Sequence, residues 1–158
     1  MTARTLTRKT INNKGFTLIE LLVVIGILAV LLAITLIAIN PAKQFAQANN
    51  TKRRSDVNAI LNAINQYMAD NKGTLPTGIT TTTQTISNSG ANLCSVLVPV
   101  YIAALPVDPQ TNNGTPVQQS GCAGTYDTNY QVVQSASSAR ITVTAPAAEL
   151  GDTISVTR

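Results

Sequence analysis

Hydrophobic and polar positions divide the 158-residue chain into three textures. Leu21 to Ile39 contains no charge, and with the five residues ahead of it forms a 24-residue stretch, Phe16 to Ile39, whose single charge is Glu20. At ~1.5 Å per residue a helix of that length reaches roughly 36 Å, enough to cross a hydrocarbon core of ~30 Å. Beyond Asn40-Pro41, a proline that should kink or loosen the helix, Val57, Ile60, Leu61, Ile64, Tyr67 and Met68 recur at i, i+3, i+4 and i+7 spacing between polar residues. That period predicts an amphipathic continuation, with Asn71-Lys72-Gly73 as its end. The third texture begins at Gly73. Thr74 to Gly90 is rich in Thr, Ser and Gly and reads as an exposed loop, and Asn92 to Leu105 as a short helix interrupted at Pro99. Leu105 to Pro109 reads as a turn, and Tyr126–Val133, Arg140–Ala145 and Thr153–Thr157 as three antiparallel strands. One long kinked helix followed by a small antiparallel sheet is an α+β plan, with segment boundaries expected at 15, 40 and 73.

An apolar run near the N-terminus has two common explanations. The core of a cleaved secretory signal is about 7–15 residues long and ends in small residues; this one is longer and leads into Asn40-Pro41-Ala42-Lys43. A plain membrane anchor accounts for everything except Glu20. A carboxylate at membrane depth costs roughly 3 kcal/mol on insertion scales and normally has a partner, and the sequence of the uncut chain suggests none nearby. Charge does not decide topology. Arg4, Arg8, Lys9 and Lys14 precede the span, and Lys43, Lys52, Arg53 and Arg54 follow it closely.

Composition narrows the chemistry. Of eleven basic residues, the four before Gly15 leave seven to face seven acidic ones in the remainder, so the net charge of +4 belongs to the first fifteen residues. A nucleic-acid-binding protein keeps a basic surplus in its working form, which argues against nucleic acid as a partner. The chain has no histidine, which removes the commonest general base and metal ligand. Its two cysteines, Cys94 and Cys122, cannot complete a four-ligand zinc site. They are candidates for one disulfide in an oxidising compartment, worth on the order of 3 kcal/mol, or alternatively two buried thiols. Cys94 as a nucleophile has no histidine to activate it. Neither a catalytic residue, a metal site nor a cofactor is expected.

Lys14-Gly15-Phe16-Thr17-Leu18-Ile19-Glu20, set directly before the uncharged run, resembles the processing site of type IV pilins and of the pseudopilins of type II secretion. The resemblance is specific at this motif, weaker to about Gly73 and only in outline beyond. It implies that residues 1–15 are a leader removed after Gly15 by a prepilin peptidase, and that the new amino group on Phe16 is then methylated. It further implies that residues 16–40 cross the cytoplasmic membrane in a single-pass precursor with its leader in the cytoplasm. Residues 41–73 would continue the helix and residues 74–158 form the head. In the family, the carboxylate at the position of Glu20 pairs with the N-terminal amine of an adjacent subunit and sets axial register. The partners implied are other copies of the chain in a helical extracellular filament, the peptidase and methyltransferase, and a pilus assembly platform.

Remaining motifs have blander readings. Lys52-Arg53-Arg54 reads as a solvated helix face or subunit contact, with DNA or anionic lipid headgroups as the alternative; no aromatic residues interleave with it. Asp108 and Asp127 fall in a region where related pseudopilins bind calcium, but the sparse acids lack the spacing of a calcium loop. Asn49-Asn50-Thr51 and Asn113-Gly114-Thr115 match the short N-glycosylation pattern. The expected function is that of a structural filament subunit. The alternatives are a type II secretion pseudopilin and a membrane-anchored binding protein that never polymerises.

Overall fold

The computed structural model of the chain describes residues 15–158, so Arg4, Arg8, Lys9 and Lys14 of the expected leader lie outside the described residues. The chain divides into two compact units, with the boundary between Pro41 and Ala42. The first contains helix α1, Leu18–Ile39, none of whose residues is buried. Its end is abrupt. Asn40 adopts a left-handed conformation (φ 46°, ψ 78°), which asparagine tolerates better than most residues, and Pro41 opens the next helix, α2, Pro41–Asp70. Proline suits a first helical position, where its missing N–H has no intrahelical acceptor in any case. The expected kink is therefore a one-residue break ahead of the proline. The end of α2 lies where the sequence put it: Gly73 N–H donates to the Met68 carbonyl (2.8 Å) while Lys72 and Gly73 turn left-handed.

The second unit is α2 with a four-stranded antiparallel sheet in the order β1 (Gln84–Ser87), β2 (Asp127–Gln134), β3 (Ile141–Ala145), β4 (Ile154–Thr157). Three of these strands match the sequence reading. The fourth, β1, lies inside the stretch read as loop: Gln84 and Thr85 pair with Val132 and Gln131, and Ile86 is its one buried aliphatic residue. The core gathers Val57, Ile60, Leu61 and Ile64 of α2 with Ile86, Tyr130, Val132, Ile141 and Val143 of the sheet. The helical part of 92–105 shrinks to a single turn, α3, Cys94–Leu97. Its Leu93, Cys94 and Leu97 join the same core, and Val98, preceding a proline, is extended (φ −98°, ψ 134°) as that position favours. Cys94 and Cys122 are joined by a disulfide with Cα atoms 5.2 Å apart, a span such a bridge accommodates.

The basic run on α2 differs from expectation. Lys52 and Arg54 are exposed and paired with Asp56 and Asp152, but Arg53 is fully buried. Its Nε and Nη2 donate to the two oxygens of Asp108 (2.7 and 3.1 Å), and its Nη1 donates to Glu149 Oε2 (2.7 Å) and Asn50 Oδ1 (3.0 Å). Asp108, also fully buried, is thus committed to a guanidinium, not presented in a turn for a cation. The physical reason is periodicity: Ala46, Asn50, Arg53 and Val57 occupy one face of α2, so Arg53 points into the head. Asn50 completes the arrangement by donating to the Glu149 carbonyl and to Asp152 Oδ2. Hydrogen bonding from Arg53 holds the Glu149 carboxyl below its ordinary value. Its contribution to stability is therefore present above the unfolded carboxylate pKa and is lost as pH falls through the lowered folded one. Burial and the neighbouring Asp56 carboxylate push the Tyr130 phenol up, so that it stays a donor to Asp56 Oδ2 (2.8 Å).

Removing one partner of a buried pair leaves the other charged and unsolvated, at about 3–5 kcal/mol. Asp108→Ala in the full chain in detergent should accordingly lower the unfolding temperature sharply, whereas Asp127→Ala, at an exposed strand end, should leave it nearly unchanged. Similar small shifts for both would contradict the reading of Arg53 and Asp108 as the polar centre of the head.

Candidate functional site

Gly15 and Phe16 precede α1 in non-helical, exposed conformation. Phe16 is 87% exposed. A side chain built at position 15 would meet no atom within 4 Å, and the backbone there is not left-handed, so nothing in the local fold requires a glycine. Thr17 is the N-cap of α1 (φ −80°, ψ 151°), and with Glu20 it forms a reciprocal capping box. Glu20 N–H donates to Thr17 Oγ1 (3.3 Å), while the Thr17 N–H (2.9 Å) and hydroxyl (2.7 Å) both donate to Glu20 Oε2. Two backbone donors that a helix start leaves without partners are satisfied in this way, at a typical gain of about 1 kcal/mol for the cap.

This arrangement amends one expectation. Glu20 does have partners in the uncut chain, namely the two Thr17 donors. They are neutral dipoles, however, and supply no counter-charge. Both bonds fall on Oε2, so the capping box leaves Oε1 unengaged by Thr17. The signal for this motif is readable in the sequence as Thr-x-x-Glu at the head of an apolar run.

After Glu20 the helix is apolar on every side. Leu21, Leu22, Val23, Val24, Ile25 and their successors to Ile39 are all exposed, between about half and five-sixths of each large side chain being open. Among the described residues, Leu18–Ile39 is the one helix long and apolar enough to cross a membrane by length and composition. A soluble amphipathic helix keeps one polar face; α1 has none. The site thus consists of an exposed, non-helical peptide link between Gly15 and Phe16, a capped carboxylate one helical turn further on, and 22 helical residues that water does not solvate well. Cys94 and Cys122 are elsewhere, in the head, where their bond closes the segment that carries Asp108. Among the described residues no group of three or more Cys, Asp or Glu side chains is placed to hold a metal ion.

Neither the curated proteins nor the solved structures include a match to the chain. A family model does match at the site: residues 11–36 fit the prokaryotic N-terminal methylation motif. The chain therefore carries the prepilin-type signal common to type IV pilins and pseudopilins, in the segment where the capped Glu20 and the start of the apolar helix are found.

Proposed function

We propose that the chain is a structural subunit of a type IV pilus-like helical surface filament, not an enzyme, and that it is cut after Gly15 and assembled through α1. The observation that carries this reading is the conjunction of the methylation motif with a lone carboxylate at the head of a helix apolar on every side. Hydrolysis of the Gly15–Phe16 amide adds one water and yields a carboxylate on Gly15 and an ammonium on Phe16, which methylation modifies and leaves cationic. That ammonium is a new cation one helical turn from Glu20, whose bonds among the described residues of the uncut chain come from the neutral donors of Thr17. Glycine at position 15, with no folding role of its own, suits a peptidase that must approach the backbone closely.

Polymerisation follows from solvation. A helix with no polar face needs lipid or like helices around it. In the membrane it is surrounded by lipid; in a filament neighbouring copies of α1 replace the lipid. A Phe16 ammonium brought to Glu20 of an adjacent copy would favour one axial offset between subunits, since any other offset forgoes that intersubunit pairing in an apolar medium. Contacts that do not close on themselves generate a filament. In this account the partners are further copies, the prepilin peptidase and methyltransferase, an assembly platform and, before assembly, the cytoplasmic membrane. The heads and the filament are then extracellular.

The type II secretion pseudopilins share the same motif and the same helix logic. Their case would rest on a divalent cation in the head, and here Asp108 is already occupied by Arg53, which favours the surface-filament reading.

Two variants test the proposal. Gly15→Leu should accumulate full-length precursor in the membrane with no mature product; normal maturation would remove Gly15 from the processing site. Glu20→Val should insert and mature at close to the parental level, since it removes a charge from the membrane segment, while the amount of sheared surface filament falls by an order of magnitude or more. Filaments of parental yield and length from Glu20→Val would contradict the assigned role.

A further inference from the structure

The loop between β3 and β4 contains a residue that folding alone does not favour. Asp152 N–H donates to the Glu149 carbonyl (3.1 Å), closing a four-residue turn whose central residues, Leu150 (φ 60°) and Gly151 (φ 72°), are both left-handed. That is the pattern of a type I′ turn, where Asn-Gly, Asp-Gly and Gly-Gly are preferred because a branched or bulky side chain in this region crowds the backbone. The same chain follows the preference elsewhere. Of the seven described non-glycine residues with positive φ, four are asparagine (Asn40, Asn112, Asn113 and Asn129), and Leu150 is the only large apolar one.

Burial does not explain the leucine, because Leu150 is 52% exposed. Nor is the turn loosely held. Glu149 accepts from Asn49, Arg53 and Gln110, and Asp152 accepts from Asn50 and Arg54. Both ends are thus tied to α2 by side-chain bonds, and the exposed leucine lies in the turn between two anchored carboxylates that are each paired with an arginine. A strained residue held in place by its surroundings, with no role in the core, points to a role outside the monomer.

We propose that Leu150 is an intersubunit contact residue, an apolar knob that packs on the Ala42–Arg158 unit of a second copy of this chain. The occupant follows from α1 and rests on the filament reading: a helix that gathers its own kind holds the heads at high local concentration, where one small apolar contact gains weight. The contact is heterologous, Leu150 of one copy meeting a different surface on the next. Phe45 and Val100, the only other large exposed apolar residues of the unit from Ala42 to Arg158, are the natural counterparts.

The turn geometry makes the test unusually clean, since the substitutions that suit the turn remove the knob. Leu150→Asn and Leu150→Gly should unfold at or above the parental temperature, yet lower sheared filament yield several-fold; Leu150→Met, which keeps the apolar volume, should restore much of it. A photoreactive phenylalanine analogue at position 150 of the full chain in cell membranes should give an adduct of twice the chain mass. Parental filament yield from Leu150→Asn, or adducts confined to lipid or to other proteins, would overturn the proposal. The self-adduct is scored on the membrane pool, so its presence in cells that make no filament would sink the filament reading while leaving Leu150 as a self-contact.

Discussion

Twenty-two helical residues with no buried side chain and no polar face set the terms for everything else in this chain. Such a helix is stable as a helix in lipid, where every backbone group is satisfied internally, but it has no stable place in water. A bilayer or other apolar surfaces packed around it would supply a suitable environment. In the proposed filament the one charge within it, Glu20, would give an otherwise non-specific apolar association a preferred register, by favouring the axial offset that brings a neighbour's ammonium alongside. The capping box with Thr17 fits this role. It orders the first turn and holds the carboxylate through a single oxygen, without neutralising it.

The second unit solves a different problem. Its core is small, and two segments with little regular structure, the one after α3 and the β3–β4 loop, have to be fixed to α2. A buried guanidinium does this by engaging Asp108 from one segment and Glu149 from the other. The disulfide between Cys94 and Cys122 closes the first of these segments covalently. Electrostatics and covalent closure thus act together on the segment after α3, while side-chain bonds to Glu149 and Asp152 hold both ends of the β3–β4 turn, with Leu150 in a conformation it would not choose.

Much of this was legible in the residues. The apolar run, the amphipathic stripe from Val57, the end of α2 and three of four strands follow from periodicity and turn chemistry, and the processing motif from a short specific string. Strand β1 was hidden because Ile86 is its single aliphatic residue among Gln, Thr and Ser; its pairing with β2 makes it a strand, and such pairing is non-local. Arg53 was misread because a Lys-Arg-Arg run suggests a solvated face, although extending the stripe backwards from Val57 by one turn and by two reaches Arg53 and Asn50 on the same side. Its two acidic partners lie 55 and 96 residues away, and no local pattern announces them. The capping box could have been read directly from Thr17 and Glu20. The left-handed conformation of Leu150 could not, since a leucine before a glycine carries no such signal by itself.

The central claim is that α1 is kept in the product and exchanged from lipid into a polymer of like helices. Intact-mass and N-terminal peptide measurement on filaments sheared from the cell surface tests it most directly. The account predicts that the chain is a component of those filaments, that it begins at Phe16, that the Phe16 nitrogen carries a methyl group, and that peptides from Leu18–Ile39 are present. A surface form that begins beyond Ile39, or a full-length chain confined to the membrane and absent from filaments, would contradict it.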